Sequence, residues 1–310
     1  QGARVLKSRL RDPMTRAPRK VVFVFSGWVL AGCGGAVSPA APVVPTPAPV
    51  VAAPVRVVIV SIDGLRPDAV QQVNPPNMIA LAARGAYTWQ AQTITPSNTL
   101  PSHVSVLTGY LPARHGIMWD DYLPANGQIK VPTLFIAARK AGRRTALVSG
   151  KEKFNTLRDT AEMDIFVGGA RTDADVADQA VAQLYAGADL LFVHLPDVDL
   201  SGHATSWMSA AYKDKVAKAD EALGRIMAAL PDNTTLIVTA DHGGHGSVHG
   251  TTDRLDMTIP WIIAGPRVRP GYAITAPVST LDTSATAAFV LGLTLPADIT
   301  GKPVMEAFAR

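Results

Sequence analysis

The segment Thr239-Ala-Asp241-His242-Gly-Gly-His245-Gly-Ser-Val-His249-Gly250 follows directly on the apolar run Thr235 to Val238. A β-branched run that stops at an acid and gives way to glycine-spaced imidazoles puts ligand atoms at the carboxyl edge of a sheet, where α/β folds keep their sites. Imidazole and carboxylate together suit zinc or a similar divalent ion. Two more acids end apolar runs in the same way. Asp63 closes Val57 to Ile62 ahead of Gly64, and Asp199 follows Leu190 to Leu195 in the spacing Asp199-x-x-Gly202-His203. A carboxylate in such a place is costly unless a cation meets it. Asp199 and His203 can close on one ion, with Gly202 expected to allow a tight turn between them; Asp197 is the competing acid. His194, inside its apolar run, reads as a packed core histidine, and Asp68 as a solvated or capping residue.

The candidate nucleophile lies in Asn98-Thr99-Leu-Pro101-Ser-His103, which runs on through Val-Ser-Val-Leu-Thr to Gly109. Pro101 belongs in the first turn of a helix reaching about Thr108, which sets Thr99 at or just before its N-terminus. Backbone N–H groups and the helix dipole there favour negative charge, whether an alkoxide or a bound phosphate. A hydroxyl is a poor nucleophile at its free pKa and needs a base or a metal. No Gly-x-Ser-x-Gly elbow is present, so the wealth of metal ligands favours metal activation. Asp63, Asp199 and Asp241 with His203, His242 and His249 are an inventory for two ions. Two ions roughly 4 Å apart suit an in-line displacement of the phosphoryl type.

The elements that must position these groups alternate in kind. Arg56 to Ile62, Thr145 to Ser149, Asp189 to Leu195 and Thr235 to Ala240 read as strands. Pro76 to Ala83, Thr133 to Lys140, Ala174 to Tyr185 and Ala210 to Leu230 read as helices. Continuous apolar strands are those buried on both faces. The expected fold class is therefore α/β, a mostly parallel central sheet with helices on both faces.

Ahead of this domain lies a different kind of sequence. Residues 1–13 precede the first Met and are set aside. From Met14, basic residues and the short apolar run Val21 to Leu30 lead into Leu30-Ala-Gly-Cys33-Gly34. The run is well short of the roughly 20 residues a membrane span needs, and reads as a signal peptide ending in a lipobox. Cys33 is the only cysteine, so it forms no internal disulfide and is expected to be acylated. Residues 1–32 hold seven of the 29 Lys and Arg and one of the 25 acids, so the rest carries 22 bases against 24 acids. The pI of 9.2 belongs to the leader and does not point to nucleic acid. Val37 to Pro54, almost wholly Pro, Ala and Val, is expected to be an extended tether. The organisation expected is thus leader 1–32, acylated Cys and linker 33–55, and one catalytic domain 56–310, facing the periplasm from a membrane, the outer one by Gly34 after Cys33. The membrane is met through the lipid anchor only.

Taken in order, Asp63-Gly, Asn98-Thr99-Leu-Pro-Ser-His103, Thr-Gly109 through His115-Gly116-Ile117, Asp199-x-x-Gly-His203, Asp241-His242-Gly and His249-Gly250 form a set. That set resembles the type I phosphodiesterase/nucleotide pyrophosphatase group of the alkaline phosphatase superfamily, over about residues 56–266. The resemblance implies an alkaline-phosphatase-like fold and two zinc ions, with manganese permitted by the same ligand types. Asp63, Thr99, Asp241 and His242 would hold one ion, and Asp199, His203 and His249 the other, with His245 the rival of His249. Thr99 would attack a small phosphodiester and form a phospho-threonine that is then hydrolysed. No oligomeric state is implied.

The chain departs from that pattern in three places. Asp120 stands where the family usually has an Asn that binds a phosphoryl oxygen, and Ser206 where a glycine is common. The span from His115 to Asp199 is short and leaves room for a minimal cap only. Lys151 and Lys153 follow a strand end and are candidates to grip a second anionic group. That would suit the rival reading, a phosphonoacetate-hydrolase-like C–P bond hydrolase. A reading from another class is a catalytically idle, metal-binding envelope lipoprotein. The Cys/Ser-x-Pro-x-Arg segment of sulfatases is absent around Thr99.

Overall fold

The computed structural model describes residues 55–158 and 163–309, with Val24 and Gly27 besides. The chain divides into Gln1–Val50 and Val51–Arg310. The leader, Cys33 and the Pro/Ala tether therefore lie outside the described residues, apart from exposed Val24 and Gly27. Among the described residues no helix is long and apolar enough to cross a membrane.

Among the described residues eight strands make one sheet: β1 Arg56–Ile62, β2 Ala86–Gln92, β3 Thr145–Ser149, β4 Ile165–Val167, β5 Leu190–Leu195, β6 Thr234–Thr239, β7 Thr258–Ala264 and β8 Tyr272–Ala273. Their order is β4-β3-β5-β1-β6-β7-β2-β8. β1 lies between β5 and β6, parallel to both. The sequence β4, β3, β5 continues in parallel. β7 alone runs antiparallel to its neighbours. The reason is the connection: the segment after β6 stays at the carboxyl edge, with only the short helix Arg254–Met257 in it, so β7 starts where β6 ends and must run back.

β1, β5, β6 and β7 are buried along nearly their whole length, as strands covered on both faces must be. The helix Ala210–Ala228 turns Tyr212, Val216, Ala219, Leu223 and Ile226 inward, an apolar stripe at helical spacing. Its buried Asp220 carboxylate accepts the backbone N–H groups of Asn77 and Met78, which docks the helix Pro76–Arg84 on it. The helix Thr99–Thr108 is buried on all sides, every residue of it. A helix hydrophobic or small all round belongs inside the fold, so its first residue is held by packing as well as by its own hydrogen bonds.

The Asp199-x-x-Gly-His203 segment differs from the turn expected of it. Asp197–Thr205 is a helix, so Asp199 and His203 share a face by i,i+4 spacing, and Gly202 is helical. Gly202 serves packing instead: a Cβ there would stand 2.7 Å from the Trp207 ring. Ser206 just after this helix has φ +78°, a backbone that glycine adopts freely. Its hydroxyl donates to Gly246 O at 2.6 Å, which offsets part of the strain and ties the helix end to the histidine loop.

One acid in this region is buried without an ion-pair partner among the described residues. Asp173 opens the helix Asp173–Tyr185 and is 3% exposed. One carboxylate oxygen accepts Asp197 N–H at 2.9 Å, and the other has no partner among the described residues. Burial, then the Asp197 charge, push its pKa from 3.8 up to about 7. The native state thus holds this proton more tightly than the unfolded chain does, and stability falls as pH rises from about 4 to 7. Asp173→Asn is expected to stabilise the protein at pH 8, on the order of 2 kcal/mol after allowing for unmatched amide hydrogens, and to change little at pH 4. Denaturant unfolding at the two pH values checks this; equal effects at both would contradict it.

Candidate metal centre and nucleophile

The carboxyl ends of β5, β1 and β6 deliver the ligands side by side. Asp63 follows β1, Asp241 and His242 follow β6, and Asp199 and His203 stand on the helix after β5. Gly64, at φ +70°, lets the chain leave β1 so close to Asp199 that a Cβ there would lie 3.0 Å from Asp199 Cβ. Two groups of ligand atoms result: Asp63, Asp241 and His242, all buried, and Asp199, His203 and His249. His242 and His249 stack with ring centroids 3.7 Å apart and so join the groups.

Each imidazole is set in the same way. Nδ1 of His242 faces Gly243 O at 2.7 Å, Nδ1 of His203 faces Ser247 O at 3.0 Å, and Nδ1 of His249 faces Ser97 O at 3.0 Å. A carbonyl only accepts, so each Nδ1 carries a hydrogen and each Nε2 is the ring atom turned toward the carboxylates. Such outer bonds fix ring orientation and ligand basicity in metal sites. The carboxylates are just as selective. Asp63 Oδ1 lies 3.3 Å from His242 Nε2, and Asp241 Oδ2 also 3.3 Å from it. Asp199 Oδ1 lies 3.4 Å from His203 Nε2 and 3.7 Å from His249 Nε2. Those three oxygens are buried and have no hydrogen-bond partner among the described residues. Buried carboxylate oxygens turned toward imidazole Nε2 atoms are arranged for cations, and the donor set fits two divalent ions.

Burial works to lower His242, but the Asp241 and Asp63 carboxylates beside it raise it to about 10, so its ring carries a proton that must leave before Nε2 can hold an ion. Burial works to raise Asp63, but Lys151 beside it, the His194 hydrogen bond and the neighbouring His242 hold it well below the usual carboxylate range. Burial and the Asp63 charge push Asp241 well above that range. Burial lowers His249 to about 4, so its ring stays neutral and able to ligate.

Thr99 is the first residue of its helix and is buried, with its hydroxyl 3.3 Å from His242 Nε2. His103, one turn on, donates from Nδ1 to Thr99 O at 2.7 Å and accepts at Nε2 from the Ser61 hydroxyl at 2.9 Å. That bond fastens the helix start to β1.

The remaining expected residues fall as follows. Asp120 accepts Leu100 N–H at 2.7 Å on one oxygen and Lys153 Nζ at 2.7 Å on the other. It therefore faces the nucleophile's helix with its charge neutralised. Lys151 Nζ lies 2.6 Å from Asp63 Oδ2 and 2.5 Å from Asp199 Oδ2, between the two ligand groups. Asp197 pairs with Lys215 at 3.1 Å, away from the ligands. His245 is bound to buried Asp256 at 2.7 Å, and Asp256 also accepts Thr251 N–H at 3.0 Å. That carboxylate clamps both ends of the loop carrying His249. Asp68 pairs with Arg66.

Sequence reasoning missed three supports. His194 is buried as expected, yet its Nε2 binds Asp63 Oδ2 at 2.8 Å and so orients a ligand. Trp207 donates to Gly64 O at 2.9 Å and packs edge-on against His203. Asp256 is the third. Only His194, a histidine one residue before the end of its strand, offered a signal.

An α/β sheet carrying two acid–imidazole groups and a hydroxyl at one edge defines a metal-dependent enzyme class. The Metalloenzyme superfamily profile matches residues 66–293, and the chain belongs to that superfamily. Its relatives at low identity include phosphodiesterases and phosphomutases. Ectonucleotide pyrophosphatase/phosphodiesterase family member 3 of Rattus norvegicus is 24% identical over 245 residues, 70% of this chain and 27% of its own length. The 2,3-bisphosphoglycerate-independent phosphoglycerate mutase of Rhodopirellula baltica is 30% identical over 142 residues, 43% of this chain and 25% of its own. The chain thus spans about a quarter of each of these two. In fold it is similar to murine ectonucleotide pyrophosphatase/phosphodiesterase 5, an inactive form in complex with AMP, at TM-score 0.72 and 16% identity, covering 82% of this chain and 100% of that one. A 2-O GAG sulfatase matches at TM-score 0.69 and 16% identity, over 81% of this chain and 73% of that one.

Proposed function

We propose that the chain hydrolyses small phosphate diesters, of the nucleotide pyrophosphatase/phosphodiesterase type, through a phospho-threonine at Thr99 and two zinc ions. The observation that carries this reading is the Thr99 hydroxyl beside His242 Nε2, at the head of a buried helix, where that same Nε2 faces the donorless Asp63 Oδ1 and Asp241 Oδ2 at 3.3 Å each. When bound, divalent ions would lower the pKa of the hydroxyl and of water and offset charge developing on the phosphoryl group. Asp63, Asp241 and His242 would hold one ion, and Asp199, His203 and His249 the other. Thr99 Oγ forms a bond to phosphorus as the bond to the departing alcohol breaks. Water then cleaves the Oγ–P bond and restores the hydroxyl. His103, through Thr99 O, keeps the helix start in place for both steps.

The test is turnover of bis-p-nitrophenyl phosphate, p-nitrophenyl phosphate, p-nitrophenyl sulfate and phosphonoacetate by the zinc-loaded and the chelator-stripped protein. Metal-dependent preference for the diester is expected. Preference for phosphonoacetate would favour the C–P hydrolase, and preference for the sulfate or the monoester would favour the corresponding relatives. Full metal binding without turnover would favour the idle envelope protein.

The proposal extends to a lipid-anchored catalytic domain facing the periplasm, on the strength of the lipobox at Cys33. Palmitate labelling in a bacterial host is expected for the full chain and not for Cys33→Ser; equal labelling of both would refute the anchor.

A further inference from the structure

By sequence Lys151 is a candidate to grip an anionic group, but the fold commits its ammonium elsewhere. β3, β5 and β1 are consecutive in the sheet, and Lys151, Asp199 and Asp63 follow their three carboxyl ends. Gly150 makes the crossing feasible. A Cβ there would stand 2.4 Å from Pro196 Cγ, so only glycine lets the exit from β3 lie against the exit from β5. Lys151 then runs inward, its side chain 13% exposed, and its Nζ reaches Asp63 Oδ2 and Asp199 Oδ2 at 2.6 and 2.5 Å. These contacts divide the oxygens of both carboxylates in the same sense. Oδ2 of each goes to the lysine, and Oδ1 of each is left without a donor beside the imidazole Nε2 atoms of its own group.

We infer that Lys151 is a positioning residue that links the two ion sites, holding one ligand of each by its outer oxygen so that each presents a single oxygen inward. This rests on the two-ion reading of the site. It gives Lys151 a role toward the ligands and leaves anion binding to other groups. Lys153, two residues on, serves as the internal comparison because it holds Asp120 and touches neither ligand group.

Two physical effects of removing Lys151 oppose each other. Losing an outer partner of a ligand costs about tenfold to a hundredfold in metal affinity. Losing a nearby positive charge favours a divalent ion. Positioning predicts that the first wins, and at both sites. The measurement is calorimetric titration of zinc, against a competing chelator, into the chelator-stripped full chain as wild type, Lys151→Gln and Lys153→Gln, with the fold of each checked by circular dichroism. Two equivalents are expected for the wild type, both weakened about tenfold or more in Lys151→Gln and neither in Lys153→Gln. If Lys151→Gln does not fold, Lys151→Met, which keeps the stem, is read in its place. Unchanged or tightened binding would overturn the inference, since the lysine would then be indifferent to the ions or in competition with them. Weakening at one site only would overturn the link. So would intact zinc binding with a raised KM, the mark of a substrate grip. Fewer than two equivalents in the wild type would instead overturn the two-ion reading beneath it.

Discussion

Thr99→Ala is expected to lower kcat on a diester by a factor on the order of 10⁴ or more while both zinc equivalents remain bound. The size follows from what is removed: without its nucleophile an enzyme keeps only the catalysis that electrostatics and binding supply. Metal retention is expected because each group keeps three candidate ligand side chains, Asp63, Asp241 and His242 in one and Asp199, His203 and His249 in the other. The fold is expected to survive as well. The helix is capped at Asn98 without a side-chain bond, and its start is held through Thr99 O, a backbone atom that alanine keeps. Thr99→Ser, which restores a hydroxyl, should recover part of the rate. Activity assays with metal analysis on the same samples check all three statements, and an alanine variant with more than a tenth of wild-type turnover would remove Thr99 from the chemistry.

The second large effect is expected at Asp241. Asp241→Asn keeps the shape and can still accept Gly64 N–H, which lies 3.1 Å from Oδ1. It replaces the donorless Oδ2, 3.3 Å from His242 Nε2, with an amide that carries no charge and cannot replace a carboxylate as a ligand. One zinc equivalent should be lost at micromolar zinc and turnover should fall by at least about a thousandfold, since the ion lost is the one beside Thr99. Stability should move the other way in the stripped protein. Removing one of three acids packed together relieves a buried charge, so the stripped variant is expected to unfold no more easily than the stripped wild type. Calorimetric zinc counts and thermal unfolding with and without chelator test the pair of statements. A variant that keeps both equivalents would show that Asp241 is not a ligand.

Much of this is legible before the fold. β1, β5 and β6 are unbroken apolar runs that end at Asp63, ahead of Asp199 and ahead of Asp241, and burial on both faces is what makes such runs recognisable. β2 escapes recognition because Ala86–Gln92 mixes Thr, Trp and Gln on a half-covered strand. β7 is obscured by Pro260 in its interior, a residue that argues against a strand by propensity. The helix Asp197–Thr205 has no clear apolar stripe and contains glycine, so local pattern favours a turn and packing against Trp207 decides for a helix.

At the site, residue types and motif order are readable, whereas the wiring is not. Two of the three Nδ1-to-carbonyl bonds, His203 to Ser247 O and His249 to Ser97 O, depend on where loops distant in sequence come to rest. A lysine in Ser-Gly-Lys-Glu-Lys reads as a surface residue by composition. Only the adjacency of β3 to β5 carries Lys151 inside.

The central claim is a double displacement at Thr99, and the stereochemical course at phosphorus tests it most directly. A phosphorothioate diester chiral at phosphorus would be hydrolysed by the zinc-loaded protein in isotopically heavy water and the configuration of the product read by NMR. Two successive in-line steps, one through Thr99 and one by water, predict net retention. Net inversion would mean that water attacks the substrate in a single step and that Thr99 is not the nucleophile.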